Sequence, residues 1–265
     1  MDMEVDRSGS CAEEDLQFFD VQVSGHGTEE KHKHGYILKP FQKPPLGNRE
    51  KDFYKQVFEK NPRKEEYYNI LENFLPKFYG VAQIIKRNSS SNNGNENGVA
   101  PKYLVMENIL QGFNKPCAID LKIGSQTWSP DATEAKIQQE RNFGKSLDIT
   151  TINGAVKEFF NAENSPLYRN LVKIVYDKLL EIEKVFDVQK EFKIYGSSVL
   201  IAYDAEYFLR HSENDSAISR SSIPLRVYLI DFAHVHPSED GKLDENYLFG
   251  LKNLIRIFKE ILDES

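Results

Sequence analysis

The segment Pro116-Cys117-Ala118-Ile119-Asp120-Leu121-Lys122-Ile123-Gly124 constrains this chain more than any other. Its apolar residues read as a strand bound for a protein interior and closed by a glycine. Side chains alternate along a strand, so Asp120 and Lys122 project from the same face. An acid and a base among apolar neighbours are costly to bury unless charged or hydroxyl-bearing groups meet them. Alone, the segment fits a strand with one internal ion pair as well as it fits a binding site. The rest of the chain has to supply the partners.

A length of 265 residues suits one large domain, or one domain with two lobes. Hydrophobic residues at 40% and charged residues at 28% match a globular protein. The net charge of -7 disfavours nucleic acid as a partner, although a local basic cluster can still take a small polyanion. The two cysteines, Cys11 and Cys117, make neither a disulfide framework nor a zinc site and point to a reducing compartment. Met1-Asp2-Met3-Glu4 is acidic and has no apolar stretch behind it, so no signal peptide is expected. No run has the length of a membrane span. These features lead us to expect a monomer without membrane insertion, placed in the cytoplasm, the nucleus or both.

Residues 1–14 are polar and acidic and read as a disordered tail. Residues 16–23 alternate and read as a strand; 35–39 read as another, stopped by Pro40. Lys31-His32-Lys33-His34 between them reads as a solvated tip, not a metal site. Helices are predicted over about 50–60 and 65–75, and strands over 81–86 and 102–107. The Asn-, Ser- and Gly-rich stretch 88–98 is the tip of the hairpin they make. The second half is richer in helix. One helix is predicted over 133–145, where Asp131 and Glu134 have the spacing of a capping box. Another covers 167–186, with Leu171, Ile174, Val175, Leu179, Ile182 and Phe186 on one stripe. Strands at 198–203 and 226–231 flank a polar loop at 212–222, and an amphipathic helix through Leu248, Leu251, Leu254 and Phe258 closes the chain. The sum is an α+β chain, with residues 15–110 as one lobe and 111–265 as a second.

Phosphoryl transfer needs a cradle for phosphates, a carboxylate-held metal, cations around the moving group and a positioned acceptor. Lys39 ends a short strand, and Glu50 opens the helix after it. A strand lysine paired with a helix glutamate anchors phosphates in protein-kinase-like N-lobes. Tyr103-Leu104-Val105-Met106-Glu107-Asn108-Ile109 is a strand running into a loop. In Ile230-Asp231-Phe232-Ala233-His234, Asp231 leaves an apolar run, a common position for a metal-binding carboxylate. Gly196-Ser197-Ser198 opens another strand. Lys136, Arg141 and Lys145 share the helix after the Asp120–Lys122 strand, and Lys252 precedes the last helical turns. Taken singly, each of these also reads as a solvated charge or a turn residue. A P-loop, an H-R-D loop, a D-F-G triplet and a G-x-S-x-G elbow are all missing.

In chain order, P-x-x-x-D-x-K-x-G, S-S-hydrophobic-hydrophobic and I-D-F-x-H resemble the motifs of the inositol polyphosphate kinase family, over about residues 35–254. The resemblance implies an α+β, two-lobed, protein-kinase-like fold with an ATP-binding N-lobe. It implies ATP- and Mg²⁺-dependent transfer of the γ-phosphate to an inositol phosphate. Lys39, Glu50, the main chain at Glu107 and Ile109, Asp120 and Asp231 would then hold the nucleotide, with Asp120 on the ribose. Asp231 and Ser198 would hold the metal, and Lys122 and Asp231 would be catalytic. Lys122, Lys136 and His234 would face the inositol phosphate; Arg141, Lys145 and Lys252 are added to that set as further basic residues of the same half of the chain. Arg49-Glu50-x-x-Phe53-Tyr54 is similar to the hexakisphosphate kinase branch, whereas Phe113-Asn114-Lys115-Pro116-Cys117 and the His234 motif are similar to the multikinase branch. Conversion of the hexakisphosphate to a diphosphoinositol is the expected activity, with multikinase or trisphosphate 3-kinase activity as the alternative. A non-catalytic phosphoinositide-binding scaffold is a different class of reading, and intact Asp120, Lys122 and Asp231 argue against it. A small-metabolite kinase of the aminoglycoside or choline type would carry an H-x-D-x-x-x-x-N loop, which is missing. One departure stands out: residues 146–154 lack the arginine of the family's leucine-glycine-hydrophobic-arginine segment.

Overall fold

The computed structural model describes residues 10–11, 16–18, 30–32, 35–84, 101–145, 149–160, 166–210 and 223–264. The predicted hairpin tip at 88–98 and the polar loop at 212–222 lie outside these. A first sheet is built from β1 (Ser10–Cys11), β2 (Leu16–Phe18), β3 (Glu30–His32), β4 (Tyr36–Pro40), β5 (Phe78–Ile84) and β6 (Lys102–Glu107), in the order β1-β5-β6-β4-β3-β2. β1 runs parallel to β5, and the other pairs are antiparallel.

Three expectations change here. Ser10 and Cys11, assigned to a tail, pair with Gln83 and Ile84. Lys31 and His32, assigned to a tip, belong to β3. Pro40 ends its strand as its last residue and not just beyond it, because it sits opposite Tyr103 where no ladder bond from its own nitrogen is needed. The next N–H, of Phe41, makes the bond to Lys102 O at 2.8 Å. Helix α1 (Leu46–Phe58) crosses beside this sheet and begins four residues before the predicted start, in a Leu-Gly-Asn turn that carries no apolar period. Its buried side chains Glu50, Phe53, Tyr54 and Val57 lie on one face. Helix α2 (Glu66–Glu72) follows.

A second sheet has the order β10-β9-β7, from β7 (Pro116–Lys122), β9 (Ser198–Asp204) and β10 (Leu225–Ile230), all antiparallel. Lys122, Ser198 and Ile230 form one row across its end. Every residue of the central strand β9 is buried. Around the sheet lie α3 (Glu134–Lys145), α4 (Ile149–Phe160), α5 (Pro166–Phe186), α6 (Ala205–Arg210) and α7 (Glu245–Asp263), with a two-stranded pair of β8 (Phe192–Ile194) and β11 (Val235–Pro237). α4 is a helix the sequence does not announce: Thr150, Thr151 and Gly154 all lower helix propensity. Packing decides it, since Val156 and Phe160, one turn apart, are fully buried in the core. The predicted capping box also fails. Thr133 Oγ1 accepts from Lys136 N at 3.4 Å, while Asp131 is engaged elsewhere.

One apolar cluster joins both sheets. It runs from Phe53, Tyr54 and Val57 of α1 through Leu104 and Met106 of β6 to β9, β10, α5 and α7. Phe232 locks the two halves: its ring lies 4.5 Å from that of Phe53 and 5.4 Å from that of Tyr54. Burying such a ring is worth about 1.5–3 kcal/mol. α7 is capped by Asp244, which accepts from Tyr247 N at 3.0 Å and from Ile194 N at 2.6 Å. The same helix touches the end of β7, where a Cβ on Gly250 would stand 2.2 Å from Gly124 N. Asn246, one turn earlier on that face, accepts from Gln126 N at 2.8 Å. Among the described residues no helix is long and apolar enough to cross a membrane.

Candidate active site

Folding brings Lys39, Glu50 and Asp231 into direct contact. Lys39 Nζ donates to Glu50 Oε1 and to Asp231 Oδ1, each at 2.7 Å. Glu50 is buried on the inner face of α1, and its Oε1 also accepts from Phe232 N at 3.3 Å. Burial alone would lower the Lys39 pKa; the Glu50 and Asp231 carboxylates outweigh it and hold the ammonium well above its ordinary value. Asp231 has the opposite balance. Burial raises its pKa, but Lys39 and then Lys122 outweigh that and keep the carboxyl below its usual range. Its backbone sits at a φ of 68°, a left-handed conformation that Asp and Asn tolerate better than most residues. The packed Phe232 ring and the Lys39 bond hold it there.

Lys122 and Ser198 complete this end of the second sheet. They are paired across β7 and β9, with Ser198 next to Ile230 on β10, so Asp231 is the first residue beyond the same row. Asp120 lies two residues back on the Lys122 face. Asp120 Oδ1, Ser198 Oγ and Glu50 Oε2 are buried and lack a hydrogen-bond partner among the described residues. Buried polar atoms are normally satisfied. An acid oxygen suited to a hydroxyl donor and a hydroxyl suited to a metal thus lie on β7 and β9, whose end row leads to Asp231.

The segment after β6 is held in a defined shape. Glu107 N donates to Lys77 O at 2.9 Å, and Asn108, buried, accepts through Oδ1 from Leu110 N at 3.1 Å. Arg226 of β10 reaches over the segment and donates to Ile109 O and, at 2.8 Å, to Gln111 O, with its guanidinium 4.5 Å from the Phe113 ring centre. Nothing in the sequence around Arg226 signals this role. Asp204 is a second anchor, whose local bond caps the start of α6 while its other two bonds reach far back along the chain. It accepts from Asn114 N, Lys115 N and Glu206 N at 2.9, 2.8 and 3.0 Å, and so fixes the entrance to β7.

Of the cations expected to face an acceptor, Lys136 is placed with His234. Burial lowers the His234 pKa first and the nearby Lys136 ammonium lowers it further. His234 Nδ1 is buried without a partner among the described residues. Arg141 lies over the Trp128 ring, 5.2 Å from its centre. Lys145 ends α3, and its side chain lies outside the described residues. Lys252 is not brought to the group. α7 turns Asn246 and Gly250 toward the end of β7, whereas Lys252 pairs with Asp187 at 3.2 Å and Glu183 at 3.9 Å, at the end of α5. Three residues not singled out in this role stand beside His234: Arg49, Asp131 and His236.

The inositol polyphosphate kinase family model matches residues 103–142 and 137–259. The chain is 29% identical over 222 residues to the Homo sapiens inositol polyphosphate multikinase, covering 69% of this chain and 50% of that one. It is 25% identical over 280 residues to the Arabidopsis thaliana inositol polyphosphate multikinase alpha, covering 87% and 90%. To the Mus musculus inositol hexakisphosphate kinase 3 it is 25% identical over 203 residues, covering 60% and 51%. The chain thus spans about half the length of the human and mouse relatives and nine-tenths of the plant one. The crystal structure of the S. cerevisiae inositol phosphate multikinase with ADP and Mn²⁺ superposes with a TM-score of 0.61 at 20% identity, over 86% of this chain and 99% of that one. A family model that matches more than half of its length, with an α+β kinase-like fold to carry the motifs, places this chain in the inositol polyphosphate kinase family.

Proposed function

We propose that this chain is an ATP-dependent inositol polyphosphate kinase, and that its transfer centre is the Lys39–Asp231 contact at the Lys122–Ser198 row. The observation that carries the proposal is Lys39 Nζ at 2.7 Å from both Glu50 and Asp231, which are set by different halves of the chain. Glu50 holds the ammonium in place, and Lys39 would bind the nucleotide phosphates as a point charge. The unpartnered Asp120 Oδ1 fits a ribose hydroxyl, an acceptor meeting a donor. The backbone after β6, kept in shape by Asn108 and Arg226, would read the base. Asp231, ionised, and Ser198 would hold a divalent metal, Mg²⁺ in this reading; when bound it neutralises charge on the phosphates. Lys122 would meet the transferred group and the acceptor from the other side, stabilising charge on the equatorial oxygens. The S. cerevisiae relative crystallised with ADP and Mn²⁺ supports this assignment of ligands.

The acceptor we favour is the hexakisphosphate, giving a diphosphoinositol; it rests on the Arg49-Glu50-x-x-Phe53-Tyr54 segment. A second acceptor, the trisphosphate, goes with the multikinase alternative, which the 29% identity to the human inositol polyphosphate multikinase supports. Anion-exchange analysis of products after separate incubations with ATP and each acceptor decides between them. A more highly charged product from the hexakisphosphate supports the first. Product from the trisphosphate alone refutes that preference, and product from neither refutes the kinase reading.

A further inference from the structure

Beside the transfer centre, four side chains from three segments converge. Arg49 of α1 donates through Nη1 to Asp131 Oδ2 at 2.7 Å and lies 3.5 Å from His236 Nε2. His236 Nε2 is 3.7 Å from Asp131 Oδ1, which accepts from Ser129 Oγ at 2.6 Å. The ligand atoms of Asp131, His234 and His236 lie within 4.8 Å of one another. His234 Nδ1 is buried and has no partner among the described residues. Asp131 is 43% exposed, on the loop before α3, whereas Arg49 and His236 are 27% and 17% exposed.

Two ligand chemistries compete for such a cluster. An acid and two imidazoles suit a divalent transition metal. The guanidinium decides against it. Arg49 is permanently charged and stands among the ligand atoms, so a metal ion would have to displace it from Asp131 against like-charge repulsion. For an anion the balance reverses. Arg49 and Lys136 are cations, and each neutral imidazole still carries one N–H donor. Only Asp131 opposes an anion, and its carboxylate makes with Arg49 the same charge-assisted bond that a phosphate oxygen would make.

We infer that Arg49 and His236, beside His234, form a phosphate subsite for the acceptor, and that the Asp131 carboxylate occupies it until an incoming phosphate displaces it. This rests on the kinase reading above. Asp131 is the mobile partner because it is the most exposed of the set and sits on a loop, while Arg49 is rooted in α1 next to buried Glu50. A built-in competitor favours densely phosphorylated acceptors, which gain enough elsewhere in the site to evict it, over sparsely phosphorylated ones.

The test is titration calorimetry of the full chain with inositol hexakisphosphate, with ATP titrated separately. Asp131→Asn keeps an acceptor for Ser129 but removes the competing charge. It should tighten hexakisphosphate binding by about fivefold, the scale set by releasing one partly exposed ion pair, and leave ATP affinity unchanged. A gain of affinity is a readout that damage to the fold does not produce. Arg49→Gln should weaken hexakisphosphate binding by about tenfold through loss of a charge-assisted bond. In the Arg49→Gln/Asp131→Asn double variant the gain should vanish, because Asp131 acts through Arg49. Unchanged or weaker binding by Asp131→Asn overturns the subsite and leaves the kinase reading standing. Wild-type protein that binds ATP but neither the hexakisphosphate nor the trisphosphate overturns both. Zn²⁺ binding by the wild type that is lost in Asp131→Asn and in His236→Gln overturns the anion assignment in favour of a metal site.

Discussion

Replacing Lys39 by methionine removes one charge and exposes how much of the fold depends on it. Glu50 has a side chain only 1% exposed and Lys39 one only 19% exposed, so this half of the contact is a buried ion pair. Removing one partner of a buried pair leaves the other charge uncompensated, at about 3–5 kcal/mol. Asp231 is 38% exposed, and solvent screening limits its half to about 1 kcal/mol or less. At about 2–4 °C per kcal/mol for a chain of this size, the melting temperature of Lys39→Met should fall by about 6–24 °C. Urea unfolding followed by circular dichroism at pH 7 measures the loss. The Lys39→Met/Glu50→Gln double variant separates stability from function. With the stranded carboxylate neutralised, it should recover at least half of the lost stability and still transfer no phosphoryl group. A double variant no more stable than Lys39→Met would show that Glu50 is not the charge Lys39 compensates, and the reasoning would fail.

Asp231→Asn should keep the fold, since Asn also tolerates a φ of 68°, and should abolish turnover at any Mg²⁺ concentration; normal turnover would place the metal elsewhere. Gly250→Ala puts a Cβ 2.2 Å from Gly124 N, and the displaced helix should cost about 1–3 kcal/mol of stability in urea, where an unchanged midpoint would argue against the close approach. Burial, and then Lys136 for His234 and Arg49 for His236, hold both imidazoles below their ordinary pKa. As pH falls through about 6.5 the unfolded chain therefore takes up protons that the folded one refuses, so their contribution is present above that pH and lost below it. His234→Gln/His236→Gln should flatten the stability profile between pH 7 and 5; an unaltered slope would contradict it.

Periodicity made the strands β6 and β7 and the helices α5 and α7 legible, because each presents one apolar face to the same core. α4 was hidden because its helix is imposed by burial of Val156 and Phe160 against residues that a local window does not contain. The site divides along the same line. Lys39, Asp120, Lys122 and Asp231 were recognisable as motif residues, each within a few residues of its strand. That Lys39 touches Asp231 across 192 positions is a property of the fold alone. Arg226, and Asp204 in its bonds to Asn114 N and Lys115 N, work through main-chain groups far along the chain, so no residue spacing records those contacts. Lys252 shows the converse error. An amphipathic helix displays a lysine without saying which neighbour it meets, and here the partners are Asp187 and Glu183. Asp131 had the spacing of a cap, but Arg49 and Ser129 are better partners than the backbone of α3.

The most direct test of the transfer centre follows ³²P from γ-labelled ATP into an inositol phosphate, with purified wild type and Lys122→Ala compared in the presence of Mg²⁺. ATP binding by each protein is measured in parallel. The wild type should label the inositol phosphate, and Lys122→Ala should bind ATP but transfer label at least about a hundredfold more slowly, the scale of one lost charge-stabilising group. Equal transfer by Lys122→Ala, or no transfer by a wild type that binds ATP, would contradict the assignment of this site.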